Sequence, residues 1–152
     1  MRCLVQRVTR ASVTVDSELV GSVGKGYLVL LGVCPEDDEG IADAVAKKLV
    51  NLRIFEDEKG KMNRSITDVG GDALIVSQFT LYADCKHGNR PSFIGACEPK
   101  RAEELYRYFC DAVAELGIGV QRGIFGADMK VELLNDGPVT IMLDSAEIVK
   151  GR

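Results

Sequence analysis

The chain has one histidine, His87, among its 152 residues. A single imidazole leaves almost no room for a metal centre of histidine ligands, and it confines any Ser-His-Asp triad to the surroundings of His87. The five cysteines are an odd number, and no two of them have the C-x-x-C spacing of a zinc knuckle or a dithiol redox site. Free thiols are typical of a reducing compartment, so we expect a cytoplasmic protein without a metal or a disulfide.

Long hydrophobic runs and a strong charge of either sign are also lacking. No apolar stretch approaches the ~20 residues that cross a membrane, and Met1 leads into alternating sequence rather than into a secretory leader. The net charge is −4, unlike that of a strongly basic protein that wraps nucleic acid. A local basic patch would still be enough to hold a few RNA phosphates.

Apolar periodicity predicts both strands and helices. Predicted strands lie at about 2–9, 12–15, 19–23, 27–33, 53–56, 73–81, 119–122, 130–134 and 139–144. One predicted helix follows the capping residues Asp37 and Asp38 and ends near Leu52, and another runs from Pro99 to about Leu116. The second helix is expected to bury one stripe of side chains, formed by Leu105, Tyr108, Phe109, Ala112, Val113 and Leu116.

This order of elements predicts an α+β fold in a single domain, residues 1–152. Hydrophobic residues make up 46% of the chain, which is enough for a substantial core. We expect largely antiparallel β-sheets that form a barrel-like layer system with two packed helices. Uncovered sheet edges favour a dimer.

The segment from Asn135 to Thr140, Asn-Asp-Gly-Pro-Val-Thr, separates two alternating apolar runs. Asn-Asp-Gly between strands is typical of a tight hairpin turn. The proline has no backbone donor and restricts the glycine before it. The Gly137-Pro138 pair therefore indicates either a rigid turn or a piece of backbone aimed at a ligand.

Polar groups with a capacity for chemistry occur in two other places. Ser77 and Thr80 lie where an apolar strand meets a loop, but no histidine or carboxylate is near in sequence to activate either hydroxyl. Simple hydrogen bonds to nearby backbone would also account for them. Lys86, His87 and Arg90 lie in a long connection and form either a phosphate-binding loop or a solvated charged loop.

Five strings, spread in order over the whole chain, carry a resemblance to a known family. They are MRCLVQRV at 1–8, SQFTLYAD at 77–84, GNRPSF at 88–93, GIFGADM at 123–129 and GPVT at 137–140. Together they resemble the bacterial and eukaryotic type of D-aminoacyl-tRNA deacylase, the D-tyrosyl-tRNA(Tyr) deacylase family. The resemblance implies a homodimer without a cofactor. It would hydrolyse the ester between a D-amino acid, or glycine, and the 3′ end of tRNA.

The resemblance also implies roles for residues in the second half of the sixth predicted strand. The backbone N–H groups of Phe79 and Thr80 are the expected oxyanion donors, and Ser77 and Gln78 would shape the pocket and bind substrate. If the 2′-OH of the RNA positions or activates the attacking water, the protein needs orientation and oxyanion donors rather than a histidine. The alternative in which the Thr80 side chain is the nucleophile is weaker, because no activating partner is evident.

Chiral selection is implied for the C-terminal motif. Gly137-Pro138, as a cis peptide, would enter the partner subunit's pocket, which forms at the dimer interface. Its carbonyls would bind the substrate amino group and leave no room for an L side chain. Arg7 would brace this segment of the partner chain, and Phe125 and Met129 would pack against adenine.

Three other functions are compatible with parts of the sequence. A non-catalytic tRNA-binding module would use the loop from Lys86 to Arg90. A purely structural β-rich dimer would use Gly137-Pro138 only as a turn. A thiol esterase would use Cys85 and His87, whose spacing in a loop specifies little.

Overall fold

A computed structural model describes residues 1–149 of the chain. The elements in order are β1 (Arg2–Val15), β2 (Glu18–Val23), β3 (Gly26–Gly32), α1 (Glu39–Asn51), β4 (Phe55–Glu56), β5 (Met62–Arg64), β6 (Asp72–Ser77), a 3₁₀ turn (Phe79–Tyr82), α2 (Pro99–Glu115), β7 (Gly119–Arg122), β8 (Lys130–Asp144) and α3 (Ser145–Ile148). The α+β class and both predicted helices are confirmed. The short elements β5 and α3 were not expected, because each is too brief to give a periodic signal.

The main sheet is organised around the long strand β1. This strand pairs antiparallel with β3 through residues 2–8, with β2 through residues 11–15, and with β8 along most of its length. The pairs β3–β6 and β6–β7 are parallel, so the sheet is mixed. A Cβ at Gly21 in β2 would lie 2.7 Å from the carbonyl oxygen of Arg122 in β7. The outer strands therefore approach each other, and the sheet is nearly closed into a barrel.

Two hydrophobic cores lie on opposite faces of this sheet. The larger core lies under α1 and α2, where Cys3 and Val5 of β1 meet Leu49 and Phe109 of the helices. The smaller core fills the barrel and includes Val8 of β1. Because successive side chains of a strand point to opposite faces, one long strand supplies both cores.

The paired strands at each end of the chain are longer than the sequence predicts. The predicted break after Thr9 is absent, and β1 continues to Val15. The two strands expected on either side of Asn135 form one continuous strand and not a hairpin, because both halves of β8 pair with β1. Thr140 opposes Gln6 and Asn135 opposes Val8, so the residues between them bulge out of the ladder.

Two further differences concern the middle of the chain. The predicted strand 73–81 ends at Ser77, because the chain then turns into the 3₁₀ turn. In α2, Tyr106 is buried in place of Tyr108, which is exposed and donates to Asp43 Oδ2 at 3.0 Å. The tertiary packing follows the stripe that includes Ala102, Leu105, Tyr106, Phe109, Cys110 and Val113.

The N-terminal amino group lies in a buried polar cluster. The Met1 ammonium is 2.6 Å from Asp37 Oδ1 and 2.7 Å from Ser145 Oγ. The other carboxylate oxygen, Asp37 Oδ2, accepts from the Cys34 N–H at 2.8 Å. The side chains of Met1 and Asp37 are 0% and 1% exposed. This cluster connects the start of β1 with the loop before α1 and the start of α3.

Candidate active site

A cavity of about 720 Å³ opens where the parallel strands β3 and β6 end. Its walls come from three segments: the end of β6 with the following turn, the chain that leads into α2, and residues 125–131. The carboxyl ends of parallel strands are a usual place for ligand sites, because loops diverge there and leave a crevice. The volume lies within the range of pockets for small molecules.

The structure brings most of the predicted site residues together in this cavity. Ser77, Gln78 and Phe79 line it from β6 and the turn. Phe125 and Met129 line it from the segment between β7 and β8. These two groups are far apart in sequence, so only the pairing of β6 with β7 makes them neighbours.

The turn after β6 is held closely against β3. The Gln78 N–H donates to the Leu31 carbonyl at 2.8 Å and continues the parallel ladder by one bond. A Cβ at Gly32 would lie 3.1 Å from both the Gln78 carbonyl oxygen and Leu81 Cβ. Gly32 therefore allows the turn after β6 to pack closely on β3, where a residue with a side chain would collide with it.

The first two backbone N–H groups of the 3₁₀ turn take no part in its internal hydrogen bonds. The first of these bonds runs from the Leu81 N–H to the Gln78 carbonyl at 3.3 Å. The N–H groups of Phe79 and Thr80 come before it, at the end of the turn where backbone donors lack intrahelical acceptors. The Thr80 hydroxyl accepts a short hydrogen bond from Gln78 Nε2. An amide donor cannot take a proton from the hydroxyl, so this contact positions Thr80 without activating it.

The rim of the cavity is apolar and open. Phe79 and Phe93 meet edge to face with ring centroids 5.0 Å apart, and they are 56% and 38% exposed. Ile94, which follows Phe93, is 92% exposed. Exposed apolar side chains around a cavity are typical of a binding surface.

Tyr106 of α2 is a lining residue that sequence reasoning missed. Its hydroxyl donates to the Ile75 carbonyl at 2.6 Å, and the same carbonyl accepts from the Gly123 N–H at 3.4 Å. Burial raises the pKa of the Tyr106 hydroxyl, which keeps it a donor. The ring lies 6.1 Å from the Phe125 ring. The i, i+3, i+4 spacing from Ala102 and Leu105 was the signal that could have identified it as buried.

The Gly137-Pro138 segment does not line this cavity. Its peptide bond is cis. Arg7 lies beside the segment and opposes Tyr27, which in turn opposes Ala73 at the start of β6. Ser77 is four residues further along β6, about 13 Å away at the rise of a strand. Within one chain, the segment and the cavity are therefore at opposite ends of the parallel ladder.

Arg7 braces this segment within its own chain, and its expected contact with the partner's segment stays a prediction. Its Nε donates to the Asp136 carbonyl at 3.0 Å, and its Nη1 donates to the Ile54 carbonyl at 2.7 Å. The carboxylate of Asp136 lies 3.6 Å from the same Nε. The guanidinium is buried, so these bonds hold the carbonyl of Asp136 in one place.

The remaining candidates lie outside the cavity. Cys85 and His87 are exposed in the loop between the 3₁₀ turn and α2, and neither lines the cavity. Among residues 1–149, no cluster of His, Cys, Asp and Glu side chains could hold a metal ion. Within the same residues, no helix has the length and hydropathy to span a membrane.

The family model of D-Tyr-tRNA(Tyr) deacylase matches residues 4–144 of the chain. The chain belongs to this family. The prediction of a deacylase, and hence of a hydrolase, is confirmed at the level of the family. The strings on which the resemblance was based fall almost entirely within the matched range.

Individual relatives cover the whole deacylase domain. The chain is 58% identical over 151 residues to the D-aminoacyl-tRNA deacylase of Thermomicrobium roseum, which is 99% of this chain and 98% of that protein. It is 57% identical over 144 residues to the D-aminoacyl-tRNA deacylase of Deinococcus radiodurans, which is 95% of this chain and 99% of that protein.

Two solved structures share the fold of this deacylase family member. One is described as a c-Myc DNA unwinding element binding protein; it is 43% identical, with a TM-score of 0.90, and the match covers 95% of this chain and 98% of that one. The other is described as a probable eukaryotic D-amino acid tRNA deacylase, with a TM-score of 0.77 and 18% identity over 93% of this chain and 97% of that one. At 18% identity the second match shows the fold alone.

Proposed function

We propose that the protein hydrolyses the ester of D-aminoacyl-tRNA, and of glycyl-tRNA, and so acts as a chirality proofreading enzyme in the cytoplasm. The observation that carries this proposal is the cavity that Ser77, Gln78 and Phe79 line together with Phe125 and Met129. The family membership supplies the reaction class. The products are the free amino acid and the tRNA.

The backbone at the start of the 3₁₀ turn is suited to bind an oxyanion. Water attacks the ester carbonyl carbon, and the N–H groups of Phe79 and Thr80 donate to the oxygen that becomes negative. The intermediate then collapses, the bond to the ribose oxygen breaks, and that oxygen leaves with a proton. The Thr80 hydroxyl is bonded to the Gln78 amide rather than to a base. In this proposal the 2′-OH of the substrate positions the water.

The opposite wall of the cavity is suited to the terminal adenosine. Phe125 and Met129 present a ring and a soft thioether, both of which pack well on the face of a base. Ser77 and Gln78 add the polar groups that orient the aminoacyl end. The cavity volume of about 720 Å³ can hold an aminoacyl-adenosine.

Chiral selection requires a second copy of the chain. Gly137-Pro138 lies at the far end of the ladder from Ser77 in its own chain, so it reaches a cavity only as the partner subunit's segment. A homodimer with the pocket at its interface would also cover the exposed rim residues Phe79 and Phe93. Carbonyls of the segment bind the substrate amino group, and the rigid backbone beside them collides with an L side chain.

A single-turnover comparison of D- and L-tyrosyl-tRNA tests this function. The D ester is expected to be cleaved rapidly while the L ester stays intact. A Thr80→Ala variant is expected to keep the activity, because the proposed donor is its backbone N–H. Loss of activity in this variant would instead favour the threonine as a nucleophile. If neither ester is cleaved but tRNA binds, the protein is a non-catalytic tRNA-binding module.

A Tyr106→Phe variant tests the support of the two cavity walls. The hydroxyl holds α2 to the Ile75 carbonyl of β6, which also accepts from the Gly123 N–H after β7, so loss of the hydroxyl loosens both walls. We expect about a tenfold fall in kcat with little change in KM, and about 1 kcal/mol lower unfolding free energy. Tyr108→Phe is the matched control, because that hydroxyl makes an exposed bond to Asp43 away from the cavity. Equal effects of the two variants on kcat would contradict this role.

A further inference from the structure

A basic loop, defined as residues 85–91, projects beside the cavity. Its base is closed by paired backbone bonds between Asp84 and Ser92, at 2.7 and 2.9 Å. The Lys86 N–H donates to Asp84 Oδ1 at 2.9 Å, and Gly88 turns the tip with a φ of +67°. The basic loop is thus a hydrogen-bonded turn in which Lys86 and Arg90 are exposed to solvent.

Arg90 differs from the other arginines of the described chain. Every other arginine within residues 1–149 donates a side-chain hydrogen bond to a protein acceptor. The Arg90 side chain makes no hydrogen bond or ion pair with any of these residues, and it is exposed. Lys86 is exposed in the same way. Both cations are therefore available to an anion from outside.

The carboxylates near this rim already have partners. Asp84 accepts from the Lys86 N–H. Glu98 caps α2 through the Arg101 N–H at 2.8 Å, and Asp128 lies 3.2 Å from Lys130 Nζ. The protein as a whole carries a charge of −4, so an RNA that approaches it is repelled except where cations are concentrated.

The basic loop lies close enough to the cavity to contact the same ligand. Phe93 lines the cavity and follows Arg90 by three residues, so the two Cα atoms are at most about 11 Å apart. When the terminal adenosine of an RNA strand occupies the cavity, the phosphates next to it are within reach of this rim. An arginine matches phosphate geometry with two parallel hydrogen bonds.

We propose that Lys86 and Arg90 bind the phosphates that follow the terminal adenosine of the tRNA. This inference rests on the proposed function for its ligand. The contact is to the backbone, so it holds the 3′ end in the cavity without reading the base sequence. It also explains how an acidic protein binds an RNA by one local patch.

The test compares a Lys86→Gln/Arg90→Gln variant with a Lys47→Gln/Lys48→Gln control. The control removes the same charge from exposed positions near the C-terminal end of α1. Binding of uncharged tRNA is measured over a range of KCl concentrations. Single-turnover hydrolysis is measured on D-tyrosyl-tRNA and on D-tyrosyl-adenosine, which has no phosphate.

We expect the loop variant to bind tRNA about tenfold more weakly. The slope of the logarithm of its binding constant against the logarithm of the KCl concentration should be smaller in magnitude by about one to two. Its rate on D-tyrosyl-adenosine should equal that of the wild type. An equal loss on D-tyrosyl-adenosine, or a salt dependence unchanged from that of the control, would overturn the inference. A third outcome separates the two proposals. If tRNA binding by the wild type depends more steeply on salt than binding by the loop variant, but the wild type cleaves neither substrate, the phosphate contact is supported and the proposed function is contradicted.

Discussion

A Gly137→Ala variant is expected to lose about 100-fold in the rate of D-tyrosyl-tRNA hydrolysis. The reason is local geometry. Gly137 has a φ of +131°, which an L side chain rarely adopts, and an added Cβ would lie 2.8 Å from Val139 Cγ2. The same Cβ would lie 3.2 Å from Arg7 Nη2. The segment must therefore shift, and the carbonyls that we propose for the substrate amino group shift with it.

The matched control for this variant is Gly60→Ala. Gly60 also has a positive φ, +74°, but nothing lies within 4 Å of an added Cβ. It therefore bears the conformational cost of an L residue, about 1 kcal/mol, without a collision. We expect the control to be slightly less stable and fully active. If Gly137→Ala is as active as the control, the segment has no part in the reaction.

A mixed dimer tests whether the segment acts across subunits. One chain carries Gly137→Ala and the other carries Ala127→Trp, whose indole fills the cavity at a lining position. If each cavity uses the partner subunit's segment, the mixed dimer contains one site with both defects and one intact site. We then expect about half of the wild-type activity from two variants that are each inactive alone. An inactive mixed dimer would contradict the action of the segment across subunits.

An Asp37→Asn variant is expected to lose about 3–5 kcal/mol of unfolding free energy. The substitution keeps the shape of the side chain but removes the negative charge beside the Met1 ammonium. That ammonium is fully buried, and its remaining partners, Ser145 Oγ and Cys34 Sγ, are uncharged. An unpaired buried charge is far more costly than an unpaired surface charge, because water cannot screen it. Urea unfolding measures the difference.

Asp111→Asn is the control for this stability prediction. Asp111 forms an ion pair with Arg122 on the surface, and its side chain is 66% exposed. Exposed pairs contribute about 1 kcal/mol or less. If the Asp37 and Asp111 variants unfold at the same urea concentration, the buried cluster does not stabilise the fold as we infer.

Local sequence signals predicted the positions of helices α1 and α2 well. Asp38 caps α1 by accepting from the Ile41 N–H at 2.8 Å, and Pro99 occupies the first turn of α2. These features depend on residues within one helical turn, so the sequence alone carries them. Asp37 was expected to share the helix terminus with Asp38. Its role as the partner of Met1 depends on a contact across 36 residues.

The strands were less predictable where pairing overrides local preference. Asn135-Asp136-Gly137 has the residues of a hairpin turn, yet it bulges from one continuous strand. The reason is that β1 offers backbone partners to both Asn135 and Thr140, and those bonds outweigh the turn preference. Ser77 likewise ends its strand where the ladder with Leu31 ends, which no local pattern marks.

The sequence by itself determined the family, the α+β class and the short list of chemical groups, because motifs and capping residues are local. Only the tertiary structure decided where those groups stand. It joined Ser77 to Met129 in one cavity through strand pairing and added Tyr106 as the support of its walls. It also put Gly137 at the far end of the ladder from Ser77. Such positions follow from register between distant segments, and a single sequence contains no direct measure of register.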